Sequence, residues 1–188
     1  MDGLAARWKK ACNAEPSGKR PSPAASTRRS ADGISTVAEI LSDYTDVPLV
    51  SYLPNLSWMD DDAQMAYLDA FRELILPATM VLVGSHSTLT DFLLPDWDAE
   101  RPPSARELAV AAAEHGTDYV LVTGVQLPDQ FIDNVLASPQ GAMCGERFER
   151  FEASFVGAGD TLSAALAAIL STGTALDVAA AEALSFLD

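Results

Sequence analysis

The chain has 188 residues, of which 48% are hydrophobic and 21% are charged, and its formal net charge at pH 7 is −15. This length suits one domain with a buried core, and no apolar run is long enough to predict a membrane helix. The acidic balance argues against a nucleic-acid partner, because phosphate binding needs clustered cations. The chain shows no secretory signal pattern, and its two cysteines, Cys12 and Cys144, lack metal-ligand spacing, which together predict a cytoplasmic protein with reduced thiols.

Basic residues are concentrated at the start of the chain. Seven of the 12 lysines and arginines lie in residues 1–30, a segment rich in small and polar residues and proline, without hydrophobic periodicity. This composition is typical of a disordered leader, and a basic tail that binds a partner is the alternative. Residues 31–188 contain no lysine, so a phosphate bound there must be held by backbone amides and a metal ion.

From residue 31 onward, hydrophobic periodicity predicts alternating helices and strands. In chain order these are a helix ending near Tyr44, a strand over Val47–Leu53, a helix that begins at Asp60–Asp62 and is stopped by Pro77, a strand over Thr79–Val83, and a loop or short helix over 84–91. The next helix begins with a Ser104–Glu107 capping box and ends at Gly116, and a strand over Tyr119–Thr123 then ends in Gly124. Two antiparallel edge strands are predicted near Phe131–Leu136 and Met143–Phe151, followed by a helix after Asp160 and a last helix from about Thr174. This order is typical of an α/β domain whose mainly parallel sheet has helices on both faces.

A glycine turn, Gly157-Ala158-Gly159, stands immediately before Asp160 and a helical pattern. The first amides of a helix have no partner inside the helix, and the helix dipole adds partial positive charge there. The turn therefore predicts an anion site, with phosphate as the usual anion. Asp160 could cap the helix, or it could take a proton from a hydroxyl group held against the phosphate.

Ligands of open α/β sheets bind at the carboxyl ends of the strands. Here those ends fall near Tyr52–Asn55, Gly84–Thr88 and Thr123–Gln126. The glycine turn is expected to face the same edge of the sheet, which would complete a pocket. His86, in the second of these segments, could touch a phosphate or could simply be solvated.

Three stretches resemble the hydroxymethylpyrimidine/phosphomethylpyrimidine kinases of thiamine biosynthesis, which belong to the ribokinase superfamily. They are Ile34–Val50, Leu74–Leu82, and Asp118–Gly124 leading on to Gly157–Ala165. The resemblance runs from about residue 31 to the end. It implies that residues 31–188 form the C-terminal part of a ribokinase-like kinase domain behind a leader of residues 1–30.

The resemblance also implies a reaction: transfer of a phosphoryl group from ATP, with Mg²⁺, to the hydroxymethyl group of a small molecule. In that case Gly157, Ala158 and Gly159 supply the anion hole, and Asp160 is the base that takes the hydroxyl proton. Thr123-Gly124 would lie along the nucleotide phosphates. Residues 125–136 and the last helix would flank the adenine.

The chain departs from that family at the base. Pyrimidine kinases usually carry a cysteine where this chain has Asp160, whereas aspartate is the rule in sugar kinases and occurs in pyridoxal kinases. A pyridoxal- or pyridoxine-type substrate is therefore the alternative.

A second departure concerns the metal. The family's Asp-Pro pair is replaced by Leu53-Pro54, and its Thr-Pro-Asn segment, followed by a glutamate, is replaced by Val83–Ser85 with Thr88 at the acidic position. The metal ligands are therefore unknown, although Asp91 or Asp60 could substitute.

The first part of the family's fold, which supplies most of the substrate pocket, has no counterpart in this sequence. One reading is a truncated, catalytically inactive relic that at most binds a nucleotide or a partner chain. Missing strands would also leave apolar edges exposed, which favours association into a homo-oligomer.

Overall fold

The computed structural model describes residues 33–128, 130–150 and 157–186. The leader of residues 1–30, Cys12 and Phe151 thus lie outside the described residues. The described helices are α1 (33–41), α2 (Asp61–Ala70), α3 (His86–Leu93), α4 (Ala105–Ala113), α5 (Ala158–Leu170) and α6 (Leu176–Ser185). The strands are β1 (Val50–Leu53), β2 (Val81–Ser85), β3 (Tyr119–Gln126), β4 (Phe131–Ser138) and β5 (Gly141–Glu149). None of the described helices is long and apolar enough to cross a membrane.

The five strands form one sheet in the order β1-β2-β3-β4-β5. The first three are parallel, with Val50 beside Val81 and Val81 beside Tyr119, and the last three are antiparallel. This confirms the α/β fold. The prediction that both antiparallel strands are edge strands is wrong for β4, which pairs with β3 on one side and β5 on the other. The edge strands of the described sheet are β1 and β5.

Two hydrophobic clusters cover the two faces of the sheet. Strand residues alternate between them: Val81 and Val83 of β2 lie in one cluster and Leu82 in the other, as the two-residue period of a strand requires. The cluster with Leu82 contains side chains of α1 to α4, and the cluster with Val81 and Val83 contains those of α5 and α6. Helices therefore flank both faces, as predicted.

The structure shifts several predicted boundaries. Strand β1 begins at Val50 rather than Val47, in keeping with Pro48, which has no amide to give to a ladder. Helix α2 is not stopped at Pro77, because it continues as a π-helical turn over Phe71–Ile75 and a 3-10 turn over Leu76–Ala78. Proline is tolerated in the first turn of a helix, where its missing N–H would have no partner.

Candidate functional site

The start of α5 lies against the carboxyl end of β1. The ring of Tyr52 packs against Gly159 so closely that a Cβ atom at Gly159 would overlap the ring carbons Cζ and Cε2 and the hydroxyl oxygen. Tyr52 also packs against the cluster that contains Leu162 and Leu166 of α5. The glycine turn thus faces the edge of the sheet at which ligands of this fold class bind, as the sequence predicted.

Among the described residues, no side chain caps the N-terminus of α5. Its N-cap residue is Gly157, which has a φ of 87° and no side-chain hydrogen bond to the helix, and its carbonyl oxygen accepts from the amide of Thr161 at 2.9 Å. The amides of Ala158, Gly159 and Asp160 precede that bond, so they have no acceptor inside the helix. A left-handed backbone favours glycine, which explains why this residue type starts the turn.

Asp160 is exposed in the first turn of α5. Its carboxylate has no hydrogen bond with any residue in the described ranges, so a cap on its own helix, one of the two roles considered for it, is not formed there. Its charge acts on a neighbour instead: burial raises the pKa of the Tyr52 phenol above its usual value of 10.0, and the nearby carboxylate of Asp160 raises it further. Tyr52 is therefore a neutral phenol at physiological pH, beside an acid that is free to accept a proton or a hydrogen bond.

Strand β3 ends in a bulge at the same edge. The register with β4 shifts between Val122 and Val125, and Gly124 there has a φ of 71°. The Gly124 amide donates to Asn134 Oδ1 at 3.0 Å, and the Thr123 hydroxyl donates to the Gly84 carbonyl at 3.3 Å. The two predicted nucleotide-binding residues therefore lie at the expected edge, with these two donors engaged inside the protein.

Asn134 was not predicted from the sequence. It is only 3% exposed and holds the bulge by accepting from Gly124. Its side chain lies on the α5 side of the sheet, because Leu136, two residues later, belongs to that cluster. Asparagine is depleted in strands, so its position between Ile132 and Leu136 was the signal that could have revealed it.

The end of β2 contributes hydroxyl groups that are committed to α3. Ser85 caps this helix: its Oγ atom accepts from the Thr88 amide at 3.2 Å and lies 2.7 Å from Thr88 Oγ1. His86 contacts the carbonyl oxygen of Pro103 through Nε2 at 2.7 Å. This half-buried histidine thus fastens the loop before α4 to the start of α3.

The acids proposed as metal ligands do not gather here. Within the described residues no group of three or more His, Cys, Asp and Glu side chains is placed to hold a metal ion. Asp60 caps α2 by accepting from the Ala63 amide at 2.9 Å, and Asp91 is exposed on α3. The described donors therefore do not fit a magnesium site held by the protein alone. A magnesium ion beside Asp160 would need further carboxylates or the substrate's own phosphates as ligands.

A cavity of about 290 Å³ lies at the amino ends of the parallel strands, around the residues that precede β1, β2 and β3. Its lining includes Asp46, Met80 and Asp118. The amino ends are remote from the carboxyl ends of the strands, so the cavity plays no part in the site at α5.

Comparison with known proteins gives a family match. A family model described as phosphomethylpyrimidine kinase matches residues 29–188. Comparison with curated proteins finds no significant match.

Several solved structures share the fold. Pyridoxal kinase of Bacillus subtilis in complex with ADP is 21% identical with a TM-score of 0.69, and the similarity covers 83% of this chain and 59% of that one. Pyridoxal kinase of Staphylococcus aureus in complex with AMP-PCP and pyridoxal is 17% identical with a TM-score of 0.67, covering 83% and 56%. Phosphomethylpyrimidine kinase of Clostridium difficile is 13% identical with a TM-score of 0.60, covering 84% and 62%. At these identities the similarity shows the fold alone, and the chain spans about three fifths of the length of these neighbours.

Proposed function

Because the chain belongs to the phosphomethylpyrimidine kinase family, we propose that it transfers a phosphoryl group from ATP to the hydroxymethyl group of a small vitamin precursor. The observation that carries the proposal is the start of α5, where amides and the Asp160 carboxylate, which have no hydrogen-bond partner within the described residues, meet the carboxyl end of β1. These are the two parts that the reaction requires, an anion hole and a base.

The chemistry follows from the properties of phosphoryl transfer. This reaction asks mainly for positioning and for stabilisation of negative charge on the transferred group. Preorganised amides at a helix N-terminus provide that stabilisation without a side-chain cation. In the proposed site Gly157, Ala158 and Gly159 hold the transferred group, and Asp160 takes the proton of the attacking hydroxyl group.

The nucleotide is assigned to the bulged end of β3. In this proposal its phosphates run past Thr123 and Gly124 toward α5, and residues 125–136 together with α6 flank the adenine. Asn134 supports this wall by keeping the bulge in place. A magnesium ion bound with ATP neutralises phosphate charge, but the described residues supply no protein-held site for it, so no step is assigned to the metal.

The acceptor we favour is the hydroxymethyl group of hydroxymethylpyrimidine, or the phosphate group of phosphomethylpyrimidine, as the family description suggests. A specific observation supports a vitamin B6-type acceptor as the second candidate: Asp160 stands where pyrimidine kinases usually carry cysteine. The two pyridoxal kinases among the structural neighbours agree with this alternative.

A different class of function, nucleotide binding without transfer, is favoured by the metal position. Strand β1 ends at Leu53 and is followed by Pro54, so this position offers no carboxylate. A protein of this kind would bind ATP in a magnesium-independent way or not at all.

Turnover by the full chain tests the proposal. ADP formation is measured with magnesium-ATP in the presence of hydroxymethylpyrimidine, pyridoxal, or no acceptor, and ATP binding is measured by calorimetry with and without magnesium. Acceptor-dependent ADP formation is the expected result, and the better acceptor decides between the two vitamin classes. Failure of every acceptor to raise ADP formation above the control would overturn the proposal, and the calorimetry would then show whether nucleotide binding survives.

A further inference from the structure

Tyr52 is a residue at this site to which no role was assigned. It lies in β1, two positions before Pro54, and its ring covers Gly159 at the start of α5. Its hydroxyl oxygen is among the atoms that a Cβ at Gly159 would overlap, so the phenol O–H reaches the first turn of the helix. It is thus next to the amides that the proposed function uses.

The hydroxyl group is available for a ligand. It forms no hydrogen bond with any residue in the described part of the chain, although the tyrosine is half-buried. It remains protonated at neutral pH because burial and the Asp160 charge both raise its pKa. A protonated phenol can donate one hydrogen bond, whereas the carboxylate beside it can only accept.

Most of the cationic side chains in the described residues have other partners. These residues contain no lysine, and three of their five arginines are engaged elsewhere. Arg72 donates to the Phe92 carbonyl, Arg101 is paired with Glu107, and Arg106 donates to the Pro139 carbonyl. A site that must hold a phosphoryl group without a lysine benefits from each neutral donor that points at it.

We propose that the Tyr52 hydroxyl donates a hydrogen bond to the terminal phosphoryl group of ATP and so completes the ring of donors formed by the amides at the start of α5. This inference rests on the proposed function, which places that phosphoryl group at those amides. It assigns Tyr52 a direct contact with the transferred group, in a position where the ring also fixes Gly159.

A purely structural role for Tyr52 gives a different expectation. If the tyrosine only packs its ring on Gly159, then phenylalanine serves equally well, because it keeps the ring and loses the hydroxyl group alone. Any loss on substitution would then affect all nucleotides to the same degree. The contact proposed here affects ATP but spares ADP, which lacks the terminal phosphoryl group.

Calorimetric titration of the Tyr52→Phe variant with ATP and with ADP, both with magnesium, tests the inference. We expect the Kd for ATP to rise about tenfold, the usual scale for losing one hydrogen bond to a charged group, and the Kd for ADP to stay unchanged. Tyr67→Phe is the matched control, since that half-buried tyrosine stacks on Phe71 at the other face of the sheet and its hydroxyl is expected to have no effect on either Kd.

The outcomes separate the inference from the function on which it rests. An unchanged Kd for ATP, or an equal rise for ATP and ADP, would overturn the role of Tyr52 while leaving the kinase proposal in place. A wild-type chain that binds neither nucleotide would overturn both. Because each variant is judged by its own ratio of ADP to ATP affinity, a general loss of stability does not imitate the expected result.

Discussion

Helices α4 and α5 begin in opposite ways. At α4, Ser104 Oγ accepts from the Glu107 amide at 3.3 Å, and Glu107 Oε2 accepts from the Ser104 amide at 2.8 Å, which is a complete capping box. Arg101 adds two hydrogen bonds to the Glu107 carboxylate, at 2.7 and 2.6 Å. At α5, the N-cap is Gly157, which has no side chain to offer.

The same orphan amides serve two purposes in these helices. Every helix leaves its first amides without partners and carries partial positive charge there. The start of α4 uses its own side chains to satisfy them, which stabilises the fold. Within the described part of the chain, the start of α5 leaves them open at the carboxyl ends of the strands, beside Tyr52 and Asp160. The contrast separates a helix end that serves stability from one that, in our account, serves binding.

The largest effect is expected at Asp160. Asp160→Asn keeps the shape of the side chain and removes its ability to take a proton, so the turnover rate should fall by about 10²- to 10⁴-fold while ATP still binds. The matched control is Asp61→Asn, which removes the same charge from the first turn of α2 and should leave turnover unchanged. Steady-state kinetics on both variants checks this, and activity that survives in Asp160→Asn would remove the aspartate from the mechanism.

Gly159→Ala should disturb the start of α5. The added methyl group would overlap the Tyr52 ring, so the turn or the ring must move, at a cost of about 1 to 3 kcal/mol in the free energy of unfolding, and ATP should bind more weakly. Thermal unfolding and calorimetry measure the two effects. Gly33→Ala is the control because nothing lies within 4 Å of its added atom.

A double substitution sharpens this prediction. In Gly159→Ala combined with Tyr52→Ala, the ring that causes the overlap is gone. The cost of the alanine at position 159 should therefore be smaller in the Tyr52→Ala background than in the wild type. An equal cost in both backgrounds would show that the contact between Tyr52 and Gly159 does not limit the turn.

The α4 cap should affect stability without affecting binding. Ser104→Ala removes the side chain that accepts from the Glu107 amide, and loss of such a cap costs about 1 kcal/mol. Chemical denaturation should show this loss, while the Kd for ATP stays unchanged. The control is Ser42→Ala. Ser42 directly follows α1, and its exposed hydroxyl donates to the Glu39 carbonyl inside that helix. A changed Kd in Ser104→Ala would contradict the separation of the two helix ends.

The smallest effect is a dependence on pH. The Arg101 guanidinium and the Ser104 amide and hydroxyl lower the pKa of Glu107 from 4.5 to about 2. A lowered pKa means that the carboxylate stabilises the fold above pH 4.5, and that this contribution is lost as the pH falls toward 2. Glu107→Gln should flatten the pH dependence of the melting temperature in this window, whereas Glu114→Gln, at the other end of the helix, should not. An equal pH dependence of the melting temperature in Glu107→Gln and in the wild type would contradict this prediction.

Local signals in the sequence predicted much of the fold. The Ser-x-x-Glu pattern at Ser104 marks a helix start whose parts are three residues apart, and the apolar run before Gly84 marks a buried strand. The glycine turn likewise predicted a helix start, which the structure has at Ala158. These features depend on neighbours in the chain, so composition and spacing reveal them.

Other features depend on residues that are far apart in the chain. The contact between Tyr52 and Gly159 and the bond between Asn134 and Gly124 join segments that meet only after folding. The commitment of His86 to the Pro103 carbonyl is of the same kind. A single sequence shows what each of these residues can do, but the partner that each one finds is decided by the packing of the sheet.

Hydrogen–deuterium exchange of the α4 and α5 amides in one sample tests the account most directly. Addition of magnesium-ATP should slow exchange of the amides of residues 157–160 at the start of α5, because the phosphoryl group accepts from them. Exchange at residues 105–107 at the start of α4 should not change. Unchanged exchange at the start of α5, or equal slowing at both helix starts, would contradict the assignment of α5 as the phosphate-binding end.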